Sequence, residues 1–295
     1  MRPQVISVPY RYDRFEEGLG LGPSRLLEIG LAERAAAVHQ AILEDADRDD
    51  DRTAVNIGIL GRSTAALVAQ ARTTGDPVLV VAGDDTAAIG VVAGLQASDG
   101  ASRALGVVWI DAHGDFNTPD TSYSGILAGM PLAVLAGLAG PRWREAAGLE
   151  APVPVERMVL VGARDLDKAE EELIRRHNLQ RVSVQDVRKE EGFATPLARL
   201  AATCESLYVN IDMDVLNPHL TPSATTQSEG GFELDELGAV LRAALKTGLV
   251  SAVTLTSLNP LGGARGQVST RSAWQIIQTI LTEWDTVPAP PADVS

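Results

Sequence analysis

The chain has 295 residues, a formal net charge of −14 and a pI near 4.7, a balance that argues against nucleic acid or an anionic membrane as a partner. Its single cysteine, Cys204, excludes an intrachain disulfide framework and suits a reducing cytoplasm. No apolar run reaches transmembrane length and no basic-plus-apolar leader opens the sequence, so a soluble cytoplasmic protein is expected.

Apolar runs and Ala- and Leu-rich helical patterns alternate along the chain. Strands are expected at Gln4–Val8, 55–60, Val78–Ala82, 105–111, 158–162, 181–184, 207–212 and 252–258. Helices are expected over 23–38, 64–73, 130–138, 168–177, 195–203, 234–247 and 270–281. Pro23-Ser24 suits a helix start, and Gly248 suits a helix end. The acidic run 44–51 reads as a solvated loop. This alternation predicts one α/β domain over 1–286, with a mostly parallel sheet covered on both faces. The Pro-rich stretch 287–295 reads as a frayed tail.

Three of the expected strands end in ligand-type side chains. The first runs into Gly83-Asp84-Asp85, the second into Asp111-Ala112-His113-Gly114-Asp115, and the third into Asp212-Met213-Asp214. In extended chain, residues two apart share a side, so Asp111, His113 and Asp115 converge, as do Asp212 and Asp214. Parallel strands bring their C-terminal ends to one edge, where open α/β folds place their sites. Read alone, Asp-x-His-x-Asp also fits a hydrogen-bonded polar loop. Together, carboxylates from three strands are costly to hold without a cation, which favours a metal centre.

These motifs resemble those of the ureohydrolases: arginase, agmatinase, formiminoglutamase and relatives. The likeness runs nearly end to end. Gly20-Leu21-Gly22-Pro23-Ser24 is similar to the family's N-terminal Gly-Pro segment, and Asp111 to Asn117 to its Asp-Ala-His-x-Asp signature. Ser124 to Pro131, Gly162 to Asp167, Asn210 to Asp214 and Leu258-Asn259-Pro260 resemble further signatures, in order. The resemblance implies a three-layer αβα sandwich around an eight-stranded, mostly parallel sheet, assembled as a trimer or hexamer. It implies hydrolysis of a C–N bond in a guanidinium or amidine by water held between two Mn²⁺ ions. Hard carboxylates with a little imidazole suit Mn²⁺. By position, one ion would take Asp85, Asp111, Asp115 and Asp212. The other would take Asp111, His113, Asp212 and Asp214. Asn117 and Ser124 match positions that contact an α-carboxylate in arginases. Asp167 matches one that meets the α-amino group, and it fits a helix N-cap equally well. Glu170 reads as a first-turn residue favoured by the helix dipole.

Several residues depart from the family pattern. Asp85 stands in place of a ligand histidine; the extra negative charge should weaken the Lewis acid. Ala128 replaces a histidine credited with proton shuttling, a loss that typically costs about 10²–10⁴-fold. Ser257 replaces the glutamate that pairs with a substrate guanidinium, and a hydroxyl cannot neutralise a buried cation. Ile126 replaces a polar residue of the substrate loop. Among the remaining histidines, His219 lies nearest in sequence to the third motif. Two function classes stay open. One is a divergent metal-dependent hydrolase of a linear amidine, amide or modified guanidine, amino-acid-like and distinct from a standard arginase or agmatinase. The other is a catalytically silent relative that binds a metabolite or a protein partner.

Overall fold

The computed structural model describes residues 1–49, 52–189 and 192–286. The expected frayed tail, and the last two residues of the acidic run, lie outside the described residues. One sheet of eight strands organises the molecule: β1 (Gln4–Val8), β2 (Ala37–Gln40), β3 (Val78–Ala82), β4 (Leu105–Ile110), β5 (Met158–Val161), β6 (Gln180–Val182), β7 (Ser206–Asp212) and β8 (Val250–Thr256). Their order is β2-β1-β3-β8-β7-β4-β5-β6, and every neighbouring pair is parallel. The central strands β3, β4 and β7 are buried at every position, as Val- and Leu-rich runs covered on both faces must be.

Helices α1 (Thr53–Arg72), α2 (Ala88–Asp99), α3 (Lys168–Arg176), α4 (Ala194–Ala201), α5 (Leu234–Leu245) and α6 (Ala264–Thr286) cover the sheet. Two apolar clusters divide its faces. Trp109 and Tyr208 join the α1/α2 side, whereas Val108 and Val209 join the α5/α6 side. The alternation of neighbours along one strand thus builds two cores at once. Among the described residues, no helix is long and apolar enough to cross a membrane.

The expected strand at 55–60 is instead the first part of α1. Its Val-Asn-Ile-Gly-Ile-Leu pattern alternates like a strand, but its glycines serve a helix crossing. A Cβ on Gly90 would lie 2.4 Å from the Gly61 carbonyl oxygen, so α1 and α2 touch backbone to backbone. Such a contact replaces the large apolar residues that would reveal a helical period. α2 itself is apolar almost all round and showed no period either. The eighth strand is β2, expected as the end of helix 23–38. Helical turns run from Leu21–Leu26 to Ala32–Arg34 and kink at Gly30, where φ is 123°. β2 then lies at the sheet edge with alternate residues exposed, too short to leave an apolar signature.

The strand order places the site. β3, β8, β7 and β4 are consecutive, so the residues that follow them share one edge. Between β3 and β4 in sequence, the chain skips two positions that β7 and β8 later fill. Such reversals open the crevice where α/β sheets bind ligands.

Candidate metal centre

Asp85, Asp111, His113, Asp115, Asp212 and Asp214 all line one cavity of about 430 Å³ at this edge. Among the described residues, two groups of three are close enough to hold an ion. Asp111, His113 and Asp214 form one; Asp85, Asp111 and Asp115 form the other, with ligand atoms within 4.8 Å of one another in each. Asp111 belongs to both. Asp212 belongs to neither triad, although it lies beside Asp85 and the two carboxyls share a hydrogen bond.

Short-range hydrogen bonds fix these side chains. Asp111 accepts from the Trp109 indole at 3.2 Å and from the His113 backbone N–H at 2.7 Å. Asp212 accepts from the Asp214 N–H at 2.7 Å, and Asp214 accepts from the Thr226 hydroxyl at 2.7 Å. Asp85 accepts from Asn210 at 2.6 Å and from Thr256 at 2.9 Å. Asn210 stands two residues before Asp212, so strand alternation already put it on that side. Nothing in the sequence marked Thr226 or Thr256. Arg164, from the Gly162 to Asp167 motif, donates to the carbonyls of Asp214 and Ser228 at 3.1 and 2.9 Å and so braces the loop that carries both Asp214 and Thr226.

Burial and mutual repulsion dominate the electrostatics. Burial, then the charges of Asp212 and Asp111, pushes the Asp85 carboxyl well above the usual range. Burial, then Asp111 and Asp85, does the same to Asp115. Asp212 is pushed up to about 6 by burial and by Asp214. At His113, burial favours the neutral ring. Hydrogen bonds and charge from Asp111 and Asp214 outweigh it and push the imidazole up to about 12. Its Nδ1 lies 3.2 Å from Asp214 and 3.4 Å from Asp111. Asp115 adopts φ 48°, uncommon for a residue with a side chain, and its Oδ2 is buried without a hydrogen-bond partner among the described residues. A buried, unpartnered carboxylate oxygen amid repelling carboxylates fits a divalent cation, and two triads sharing one aspartate fit a pair of them.

The expected substrate positions line the same cavity. Asn117 is buried and contacts Asp167 at 3.4 Å, Ser124 lies exposed at the rim, and Ala128 and Ile126 form part of the wall. Asp167 occupies the N-cap of α3 with no side-chain cap bond, which leaves its carboxylate free of that role. Glu170 lies in the first turn of α3 as expected, but the helix dipole is not its whole role. This residue is buried and accepts the Phe116 N–H at 2.9 Å, so it anchors the loop after β4. Burial pushes its carboxyl up to about 7. Ser257 has φ 65°, and its hydroxyl donates to Asp212 and, at 3.5 Å, to Asp85. His219 is exposed, pairs with Glu233 at 3.3 Å and does not line the cavity. Sequence reasoning missed Arg11 and Tyr12, which reach the wall from the hairpin Tyr10–Arg11/Arg14–Phe15. Gly83 makes that approach feasible, since a Cβ there would lie 2.0 Å from the Tyr10 carbonyl oxygen.

A parallel αβα sheet with a carboxylate-rich cation centre across four neighbouring strand ends defines a class of metal-binding α/β protein. The comparisons refine it. The family model described as "Arginase family" matches residues 2–282. The arginase of Staphylococcus aureus (strain COL) is 31% identical over 283 residues, covering 87% of this chain and 89% of that one. The native arginase structure from Bacillus caldovelox superposes with a TM-score of 0.81 at 27% identity, covering 95% and 98% of the two chains. The formimidoylglutamase structure from Bacillus subtilis, at 18% identity and a TM-score of 0.76, covers 97% and 88% and shows the shared fold alone. The chain belongs to the arginase family, whose members are binuclear-metal hydrolases.

Proposed function

We propose that this protein is a divergent metal-dependent hydrolase of a C–N bond in a linear amidine, amide or modified guanidine. Its substrate is small and amino-acid-like, and it is neither a standard arginase nor a standard agmatinase. One observation carries the reading: both triads around Asp111 are present, while Ser257 stands where a cationic substrate needs a carboxylate. The Ser257 hydroxyl is already engaged by Asp212 and Asp85. Bound Mn²⁺, two ions or at the least one, would supply an acidified water and polarise the scissile carbon. Asp111 would bridge the ions, with Asp85 and Asp115 on one side, His113 and Asp214 on the other, and Asp212 close to both. Asn117, Ser124 and Asp167 would hold the amino-acid end of the ligand. Ala128 has no proton to give, so turnover should be slow or suit substrates with a good leaving group. Assembly as a trimer or hexamer, in the cytoplasm, belongs to the same reading and rests on family likeness and acidic composition.

The test joins elemental analysis after dialysis against Mn²⁺ with a screen of amidines, amides and guanidines for released ammonia, amine or urea. Two ions per chain and turnover of a non-guanidine substrate would support the proposal; normal arginine turnover would sink it. A triple variant, Asp85→His, Ala128→His and Ser257→Glu, is expected to gain arginine hydrolysis, read as urea release. The silent-relative reading draws on the donors around Asp85: Asn210, Thr256 and Ser257 can satisfy a carboxylate without an ion. A protein that retains no Mn²⁺ would favour it.

A further inference from the structure

Carboxylates dominate the cavity wall, and Arg11 and His113 are its basic side chains among the described residues. His113 is committed to Asp111 and Asp214. Arg11 is not committed. Among the described residues, its guanidinium makes no ion pair and no side-chain hydrogen bond, although its charge is felt at Asp84 and Tyr12. Arg11 is solvent-exposed, so its place at the wall of these acidic surroundings is set by its backbone.

The backbone does this. Arg11 ends one strand of the short hairpin, paired with Arg14, and Tyr12 opens the turn at its tip. Tyr12 has φ 56°, an outlier for an aromatic residue. Its N–H is fastened to Asp84 Oδ2 at 2.6 Å, and Asp84 is itself fixed by the Thr86 N–H at 3.0 Å. The loop that carries Asp85 therefore also sets the hairpin tip. On the other side, a Cβ at Gly20 would sit 3.1 Å from the Arg11 nitrogen, so the backbone has no room to retreat. The guanidinium carbon lies 6.0 Å from the Tyr12 ring centroid, a distance that still permits cation–π attraction while leaving the guanidinium N–H groups available. Strain persists where the surroundings over-determine it, and such positions cluster at ligand clamps.

We propose that Arg11, held at the cavity wall by the Tyr12 hairpin tip, is the specificity-determining residue that selects ligands bearing a carboxylate on their tail. The proposal deepens the hydrolase reading and rests on it for the identity of the ligand's head. Ser257 removes the anchor for a cationic group, and Arg11 adds one for an anionic group. Arginine suits this task because its planar fork matches a carboxylate bidentately.

The test uses the Mn²⁺-loaded full chain and two amides with a neutral head that differ in tail charge, 4-acetamidobutyrate and N-(4-aminobutyl)acetamide. Titration calorimetry is expected to show preferred binding of the carboxylate. Arg11→Met should weaken it roughly 10- to 100-fold, the range of a lost charge-assisted hydrogen bond, and leave the ammonium probe unchanged or improved. Arg11→Lys should restore part of the preference, and added salt should shrink it. Equal binding of both tails, an Arg11→Met variant that keeps the preference, or no binding of either probe at millimolar concentration overturns the proposal. Calorimetry reads the subsite whether or not a probe is cleaved. Carboxylate preference without hydrolysis would retain the subsite and remove the hydrolase reading. Hydrolysis indifferent to Arg11 would do the reverse.

Discussion

The two triads around Asp111 share that residue and the end of β4, yet one draws its remaining ligand from β7 and the other from β3, and they are balanced differently. The Asp111–His113–Asp214 group carries its own cation: the imidazole, pushed up to about 12, sits between two carboxylates. The Asp85–Asp111–Asp115 group has only carboxylates, and burial with mutual repulsion drives two of them toward the protonated form. The first triad can rest in the absence of an ion; the second has no cation of its own and, beyond the hydrogen bonds that reach Asp85, is driven to take up protons. The carboxylate at residue 85, where the resemblance implies a histidine, would account for this asymmetry.

Removing the shared residue breaks the comparison altogether. Asp111→Asn is expected to lose both ions, falling from two Mn²⁺ per chain to none by elemental analysis. At Mn²⁺ a hundredfold above Kd, each lost ion forfeits about 2.7 kcal/mol of stabilisation. Asp214→Asn and Asp115→Asn should each lose one ion. If either variant loses both, the triads are not separate sites.

His113→Asn isolates the balanced triad. In chelator-treated protein it should destabilise by about 2 kcal/mol, since the ring is partly exposed and its loss leaves Asp111 and Asp214 facing one another. The folded pKa lies above the free value of 6.5, so this contribution is complete below pH 6.5 and lost as pH rises through about 12. The deficit in denaturant midpoint should therefore be full at pH 6 and smaller at pH 8, and a midpoint equal to wild type at pH 6 would contradict the pairing.

Glu170 tests the region where the sequence said least. Its carboxyl lies near 7, above the free value of 4.5, so the folded state binds the proton more tightly and stability falls as pH rises from about 4.5 to 7. Glu170→Gln keeps an acceptor for the Phe116 N–H and removes the titration. Without metal, it should match wild type near pH 4.5 and exceed it by as much as about 3 kcal/mol at pH 8. A variant that is less stable at pH 8 would show that the carboxylate itself is needed.

What was legible in the sequence follows from where information is local. Asp-x-His-x-Asp and Asp-x-Asp follow strand ends and line the cavity as expected, but turns rather than the two-residue period bring them together: β4 ends at Ile110, Asp115 has φ 48° and Asp214 lies in a 3-10 turn. The eight-strand total was correct while one member was wrong. Strand-like alternation at 55–60 hid a glycine-mediated helix crossing, and β2 was too short and too exposed to announce itself. Arg11, Tyr12, Thr226 and Thr256 were out of reach because their roles depend on contacts between segments tens of residues apart. Glu170 was placed in the right helix turn, but its anchoring role was not foreseen because helix position alone does not say whether a side chain is buried.

Ser257 gives the smallest and sharpest contrast, since its hydroxyl donates to Asp85, in the unbalanced triad, and to Asp212, which belongs to neither triad. Ser257→Ala should cost about 1 kcal/mol in the metal-free protein, one hydrogen bond's worth. Asp212, at about 6 against a free value of 3.8, binds its proton more tightly when folded, so wild-type stability declines as pH rises from about 4 to 6. The hydroxyl opposes this by stabilising the charged form. Without it, the decline should extend beyond pH 6, and a pH series of unfolding midpoints in chelator would record the shift. Mn²⁺ must then displace a tighter proton to engage Asp212, so its binding should weaken most at low pH, while the count at the His113 triad stays at one. A variant that changes the two triads equally would show that the cluster titrates as one unit and that the asymmetry drawn at residue 85 does not hold.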